Sequence, residues 1–202
     1  MKRFSKTITV TILSFCMMLS LLSCGKNNKT TATSANTSNG GVIPASALDL
    51  LNTIWSTYSE NDQFPVSGGD EANLNFEGPG KFSVDNAEML DSVLGLPDSI
   101  ADKIDDAASL SHAMNANTFT CGVFRLKNAS DTHSAAAEIK ENILARHWIC
   151  GFPDTMLIIT APGGYIISVW GIDEGTNTVS TFKQKVLGNI SGASVFSEEP
   201  IV

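Results

Sequence analysis

Three residues in the second half of the chain could supply a nucleophile and its base: Cys121, His147 and Cys150. A nucleophilic Cys needs a helix N-terminus or nearby positive charge to stabilise its thiolate. Cys150 follows the predicted C-terminus of a helix, where the dipole favours the neutral thiol. We therefore expect no Cys/His nucleophile. The two cysteines could form a disulfide in an oxidising compartment, but two separate buried thiols are the favoured interpretation, because a predicted helix lies between them.

The histidines do not form a predicted metal site. His133 and His147 lie on one predicted helix, fourteen residues apart, which is about 21 Å along its axis. His112 lacks the clustered His, Cys and carboxylate neighbours that bind zinc. The glycine-rich segments do not have the strand-loop-helix pattern that binds phosphate. The sequence therefore predicts no metal and no cofactor.

Acidic residues in a polar segment could provide a general acid and base for glycan or peptidoglycan cleavage. Any solvated acidic loop has the same composition, so a hydrolase is the alternative hypothesis, and no catalytic residue is assigned. The segment runs from Ser59 to Phe82 and is called here the Gly-rich loop. Its carboxylates are Glu60, Asp62, Asp70, Glu71 and Glu77.

Aromatic residues flank the same loop. They could line a groove for an apolar or sugar ligand, although packing in the core is the common role of such residues. The loop from Phe64 to Phe82 is the first candidate for an adaptable contact surface, and the uncovered part of the predicted sheet is the second. The aromatic candidates are Trp55, Tyr58, Phe64, Phe76 and Phe82.

The first 24 residues have the pattern of an export signal. Lys2, Arg3 and Lys6 precede an apolar run from Ile8 to Leu22, and the segment ends in Leu-Leu-Ser-Cys. The run is shorter than the ~20 residues of a stable transmembrane helix. The ending resembles the bacterial lipobox, which implies removal of residues 1–23 and a lipid on Cys24. An ordinary signal peptide with an incidental Cys is the alternative.

The predicted mature chain is strongly acidic. The full chain has 13 Lys and Arg against 21 Asp and Glu, a formal charge of −8. Removal of residues 1–23 takes away three basic residues and no acidic one, so the charge becomes −11. Nucleic acids and anionic lipid headgroups are bound mainly through Lys and Arg. We therefore exclude nucleic acid as a partner and expect membrane contact only through the lipid on Cys24.

Composition divides the mature chain into a tether and one domain. Residues 24–44 are rich in Asn, Thr, Ser and Gly and cannot bury enough apolar surface to fold. About 20 such residues span on the order of 25 Å. Residues 45–202 have the length of one domain.

The first half of this domain, residues 45–110, is predicted to be mainly helix and loop. Ser46 is a candidate N-cap for a first helix. Asp85 with Glu88 resembles a capping box for a second helix, which Gly95 and Pro97 end. A third short helix is predicted from Asp98 to Ala108.

The second half, residues 118–197, predicts a sheet with helices. A strand at Thr118–Lys127, a helix through Ile139, a hairpin around Ala161–Gly164, a further helix and a last strand give the order β-α-β-β-α-β. That order is typical of a ferredoxin-like sandwich. The predicted class is therefore α+β, with the N-terminal helical segment packed on a ferredoxin-like half. The hairpin strands do not alternate apolar and polar residues. We therefore expect either that residues 45–110 cover the second sheet face at least in part, or that this face binds a partner.

Three segments of the domain suggest a family. They are FSVDNAEMLDSVLGLPDSIADKIDDAASL (82–110), FTCGVFRLKNASDTHSAAAEIKENI (119–143) and APGGYIISVWG (161–171). Together they resemble small lipoproteins of Gram-positive bacteria that share a domain of unknown function. The resemblance covers roughly residues 47–187 and implies the export address and the architecture, but no activity.

The expectation from sequence is therefore a lipid-anchored protein on the extracytoplasmic face of the cell membrane. Its predicted role is a non-catalytic binding or interaction module for a small ligand or an envelope protein. Absence of catalytic motifs is the main reason for preferring binding to hydrolysis.

Overall fold

The computed structural model describes residues 43–114 and 117–201. The predicted signal peptide, Cys24 and most of the predicted tether lie outside the described residues. Within the described part, five α-helices and one antiparallel sheet of seven strands form an α+β domain, as predicted. None of the helices in this part is long and apolar enough to cross a membrane.

The helices and strands are interspersed along the chain. The helices are α1 (Ala47–Trp55), α2 (Ala87–Leu94), α3 (Asp98–Ala101), α4 (Thr132–Leu144) and α5 (Thr178–Asn189). The strands are β1 (Val66–Ser67), β2 (Gly80–Phe82), β3 (Ile104–His112), β4 (Thr120–Leu126), β5 (Thr155–Ala161), β6 (Tyr165–Gly171) and β7 (Ser194–Pro200). The sheet order is β1-β3-β4-β6-β5-β7, and β2 also pairs with the outer side of β3.

Local capping explains where the first two helices begin. The Ser46 side chain accepts a hydrogen bond from the Asp49 amide at 3.0 Å, which confirms the predicted N-cap. In α2 the cap is Asn86, which accepts from the Met89 amide, so the predicted capping box at Asp85 is wrong by one residue. Gly95 ends α2 with φ of 71°, a conformation that glycine adopts without strain.

Helices cover both faces of the sheet. Helices α1 and α5 pack on one face, where Leu50 and Phe182 meet Ile167 of β6. Helices α2 and α4 pack on the other, where Leu94 and Ile139 lie in one core with Ile166. Consecutive residues of β6 are therefore buried on opposite faces. This confirms the expectation that residues 45–110 cover the second face in part.

The predicted element order is present as β4-α4-β5-β6-α5-β7, but a ferredoxin-like topology is not confirmed. In that sandwich the last strand lies beside the first and both helices share a face. Here β3 occupies the place beside β4, and β7 pairs with β5. Crossovers between parallel strands are almost always right-handed. The crossovers β4-α4-β5 and β6-α5-β7 move in the same direction across the sheet, but β4 and β6 are antiparallel. Two right-handed crossovers with this geometry place α4 and α5 on opposite faces.

The prediction that residues 45–110 are mainly helix and loop is wrong in its second part. The predicted third helix ends at Ala101, and β3 follows as an internal strand of the sheet. Its small side chains Ala107 and Ala108 are fully buried on opposite faces. The small side chain of Ala108 allows α1 to pack closely on this strand. Tertiary packing therefore outweighs the helical propensity of this Asp- and Ala-rich segment. The Gly-rich loop likewise contains two short strands, β1 and β2.

The chain enters the domain at one end of the sheet, which we call the proximal pole. The Tyr165 hydroxyl donates to the Pro44 carbonyl at 2.9 Å, and Arg125 Nη1 donates to the Ala45 carbonyl at 2.9 Å. The Ala47 amide donates to the Asp106 carboxylate at 2.7 Å. The opposite end of the sheet, where β4 and β5 begin, is called the distal pole. Since β6 has seven residues, the poles are about 20 Å apart.

Candidate distal cleft

The distal pole carries a cleft of about 400 Å³. Its floor is a cross-strand row in which Ser111 pairs with Thr120, and Thr120 pairs with Trp170. One wall comes from the end of α2, and another from residues 145–154 between α4 and β5, called here the distal loop. The floor is thus a part of the sheet face that helices leave open, which was the second candidate surface from sequence.

The distal loop exposes large apolar side chains beside this cleft. Ile149 is 86% exposed and Phe152 is 70% exposed. Trp148 is half-buried, with its ring centroid 5.7 Å from that of Trp170. Gly151 has φ of 81°, and a Cβ placed there would lie 2.4 Å from the Thr118 methyl carbon. A glycine at this position therefore allows the loop to lie directly against Thr118, in the segment just before β4.

Arg146 places a cation in the wall of the cleft. Its guanidinium carbon lies 5.4 Å from the ring centroid of Trp148 and 5.3 Å from that of Trp170. Nη1 donates to the Asp91 carbonyl at 2.8 Å, and Nη2 donates to the Ser92 carbonyl. Burial lowers the pKa of Arg146, and the Asp91 carboxylate raises it in part. Arginine remains charged despite such a shift, so the cleft holds a half-buried positive charge.

Two polar atoms of cleft-lining residues are buried without a partner. Neither Thr118 Oγ1 nor Trp148 Nε1 has a hydrogen-bond partner among the described residues. A buried polar group left unpaired costs about 1–3 kcal/mol. Such groups commonly mark places where a water or a ligand completes the hydrogen bonding.

Two smaller cavities lie at the same pole. One of about 300 Å³ adjoins the cleft and is lined by Arg146, Trp148 and Phe152. The other, of about 220 Å³, lies on the opposite sheet face beside Tyr58, Phe64 and Thr178. The distal pole therefore carries three cavities of the kind that small ligands generally require, while another of about 370 Å³ lies elsewhere, beside Pro97, Ser99 and Glu138.

The structure brings together only three of the five predicted aromatic residues. The ring centroids of Trp55 and Tyr58 are 4.7 Å apart, and that of Phe64 lies 5.4 Å from Trp55. This cluster packs on the α1 and α5 face. Phe82 is buried in the core of the opposite face, and Phe76 is exposed on the Gly-rich loop. The five residues thus form no common groove.

The predicted loop carboxylates have structural or exposed positions. The Asp70 carboxylate accepts hydrogen bonds from the Ser83 and Asn73 amides at 2.6 and 3.0 Å. Partial burial alone would raise its pKa, but these hydrogen bonds lower the pKa of Asp70 to about 2. A hydrogen bond from Ser59 lowers the pKa of Asp62. Glu60, Glu71 and Glu77 are exposed.

The thiols and histidines differ from the sequence-based picture. Cys121 is buried on the α1 and α5 face, where burial raises the pKa of its thiol. Cys150 is exposed in the distal loop, so its predicted burial is wrong. Both thiols are free. His147 lies beyond the end of α4, so it does not share a helix with His133. Among residues 43–114 and 117–201, no three His, Cys, Asp or Glu side chains group as metal ligands.

Comparison of the chain with protein-family models, with curated proteins and with solved structures finds no match in any of the three.

Sequence reasoning missed both the distal-loop residues that line the cleft and the exposed side chains beside it. Arg146, Trp148, Ile149 and Phe152 lie in the short stretch between a predicted helix and a predicted strand. The signal was present in RHWICGF, where large apolar residues follow a helix with neither helical nor strand periodicity. Apolar residues in a connecting loop indicate contact with something outside their own element.

Proposed function

We propose that the protein is a lipoprotein anchored through Cys24 on the extracytoplasmic face of the cell membrane. It acts there as a non-catalytic binding module, and its ligand or protein partner contacts the distal pole. The observation that carries this proposal is the position of the cleft and the exposed distal loop, at the opposite end of the sheet from Pro44.

The geometry suits a tethered module. The predicted tether joins the domain at the proximal pole, because the carbonyls of Pro44 and Ala45 accept hydrogen bonds from Tyr165 and Arg125 there. The point where the chain enters the domain is therefore about 20 Å from the distal pole, and this leaves the distal pole accessible to partners in the envelope. The resemblance to Gram-positive lipoproteins supports the same address. Exposed Ile149 and Phe152 give the pole the apolar surface that binding sites use.

Hydrolysis is the less supported function. Its general acid needs a raised pKa, whereas hydrogen bonds hold the pKa of Asp70 at about 2. Asp70 instead organises the backbone of the Gly-rich loop around Ser83 and Asn73. The cleft at the distal pole offers a guanidinium, hydroxyls and aromatic rings, which are groups for recognition.

The address is tested by metabolic labelling with a radioactive fatty acid in the bacterial host. The wild-type protein should incorporate the label, and Cys24→Ala should not. Cys121→Ala is the matched control and should incorporate the label normally. An unlabelled wild-type protein would show that the anchor is absent.

The choice between binding and hydrolysis is tested by incubating the purified protein with cell-wall glycans and peptidoglycan. The wild type should release no product. If it does, single changes of Glu60, Asp70, Glu71 and Glu77 to Ala identify the catalytic group. A thousandfold lower rate in any of them, equivalent to ~4 kcal/mol, would overturn the binding function.

A further inference from the structure

The Arg146 guanidinium has more N–H donors than it has acceptors among the described residues. It carries five N–H groups, and two of its nitrogens donate to the carbonyls of Asp91 and Ser92 at the end of α2. The carbonyl dipoles compensate only part of its charge. No carboxylate of the described residues lies within 4.0 Å of it, and the Asp91 carboxylate instead accepts from Asn142 at 2.7 Å. The cation is therefore available to an anion in the cleft.

Hydroxyl groups lie on the other side of the same space. Ser111 and Thr120 form the floor, and the unpartnered Thr118 Oγ1 belongs to the segment just before β4. The Thr118 methyl group faces Gly151. A rotation of about 120° about χ1 would bring the hydroxyl to the place of the methyl group, facing Gly151 in the cleft lining. Hydroxyls can donate to an anionic oxygen just as guanidinium nitrogens do.

Flat apolar surface completes the cleft. Trp148 and Trp170 border Arg146. Because Trp170 is only 4% exposed, the half-buried Trp148 supplies most of the aromatic surface in the lining. An aromatic ring or another flat apolar group can bury apolar surface there. A volume of about 400 Å³ is within the range of cavities that hold small molecules.

The charge of the site and of the whole chain favours an anion with a single negative charge. One guanidinium neutralises one negative charge, while the predicted mature chain carries a formal charge of −11. A phosphate with nearly two charges would meet about twice the repulsion of a carboxylate from the rest of the molecule. A single carboxylate also matches the planar donor pattern of arginine.

We propose that the distal cleft binds a monocarboxylate joined to a flat apolar group, with the carboxylate near Arg146 and the apolar group against Trp148 and Trp170. This ligand class rests on the proposed binding function. Two sources share this chemistry: a free small acid and the C-terminus of a polypeptide that ends in an aromatic residue.

The test is an NMR titration of the ¹⁵N-labelled full chain with N-acetyl-L-phenylalanine, and in parallel with its amide, which lacks the charge. The three tryptophans give three indole N–H signals. Signals of Trp148 and Trp170 should move, and that of Trp55 in the other core should not. The acid should bind at least tenfold more tightly than the amide.

Two variants identify the site. Thr118→Val keeps the shape of the side chain and should weaken acid binding about fivefold without lowering Tm. Arg146→Lys keeps the charge but loses the planar donors, and it should bring the acid and amide affinities within threefold. Phe76→Ser on the Gly-rich loop is the matched control and should bind as the wild type does.

Further arms separate the sources and the possible failures. The peptide Gly-Gly-Gly-Phe with a free C-terminus should bind at least as tightly as the small acid if polypeptide ends are the source, and more weakly if free acids are. Equal affinity for acid and amide, absence of binding by both, or wild-type affinity in both variants would overturn the ligand class. The proposed binding function is tested independently, by photo-cross-linking of a protein partner at the distal pole. A failure of the ligand class would leave the outcome of that test unchanged.

Discussion

The Gly-rich loop and the distal loop differ in a way that composition does not indicate. The Gly-rich loop was the predicted adaptable surface, yet Gly68 exchanges two backbone hydrogen bonds of 2.8 Å with Asn75. The backbone amide of the next residue, Gly69, donates a hydrogen bond to Ser109 Oγ at 2.8 Å. The distal loop has one tight glycine and exposes Ile149 and Phe152 beside a cleft. Glycine in the first loop thus provides close backbone approach, whereas the second loop has the features of a binding surface.

The largest expected effect is that of adding a methyl group to the Gly-rich loop. In Gly68→Ala the Cβ would lie 2.3 Å from the Gly80 amide nitrogen and 2.5 Å from the Ser109 carbonyl oxygen, both of which are backbone atoms. We expect a loss of about 3 kcal/mol or more in the free energy of unfolding, because neither strand can move aside alone. Urea denaturation followed by circular dichroism measures it.

The matched change in the distal loop is Gly151→Ala. Its Cβ would meet only the Thr118 methyl carbon, although φ of 81° adds backbone strain. We expect a loss of about 1–2 kcal/mol. Combining it with Thr118→Ser should recover part of this loss, since the serine lacks the methyl group. Equal losses for Gly68→Ala and Gly151→Ala would mean that the two loops do not differ in packing.

A smaller effect is expected for the carboxylate that organises the Gly-rich loop. The folded pKa of Asp70 is about 2, below its ordinary value of 3.8. Its stabilisation is therefore fully present above about pH 4 and is lost as the pH falls towards 2. Because the side chain is partly solvated, we expect about 1 kcal/mol rather than the full shift.

Asp70→Asn should lose this amount at pH 7 and should flatten the decline in stability between pH 4 and pH 2. Asp62→Asn is the control. The Asp62 carboxylate is more exposed, and Ser59 is the one uncharged side chain of the described residues that donates a hydrogen bond to it. An unchanged pH profile in Asp70→Asn would show that the loop does not depend on this carboxylate.

The smallest effect on stability is expected from alkylation of the distal loop. Iodoacetamide should modify exposed Cys150 in the folded protein with a change in Tm of less than about 2 °C, as for most surface changes. Buried Cys121 should react only after unfolding. For the two cysteines of residues 45–202, peptide mass spectrometry should count one adduct before and two after denaturation. Simultaneous modification of both thiols in the folded protein would contradict the described core.

Much of the fold follows from local patterns, and the site does not. The hairpin β5-β6 and the N-cap at Ser46 were predictable, because turn and cap chemistry depends on neighbouring residues. The place of β3 beside β4 was not, since Ala107 and Ala108 suit a helix as well as a crowded strand. That one strand also decides where β7 can pair.

The cleft depends on contacts between residues far apart in sequence. Arg146 meets the end of α2 more than fifty residues earlier, and Gly151 meets Thr118. No spacing rule brings these together. The apolar stretch from Trp148 to Phe152 was visible, but its exposure depends on where the chain turns into β5. Among the predicted aromatic residues, Phe76 is the one whose exposure most resembles that of Phe152.

The most direct test of the distal pole as the contact surface compares these two phenylalanines. Phe152 is 70% exposed and Phe76 is 74% exposed, so exposure alone gives them equal chances of meeting a partner. The photo-cross-linker p-benzoylphenylalanine replaces each in turn, and the cells of the bacterial host are irradiated intact. The account predicts a discrete adduct from position 152 that Ile149→Ser abolishes, and none from position 76. An adduct from position 76 with none from position 152, or equal adducts from both, would contradict it.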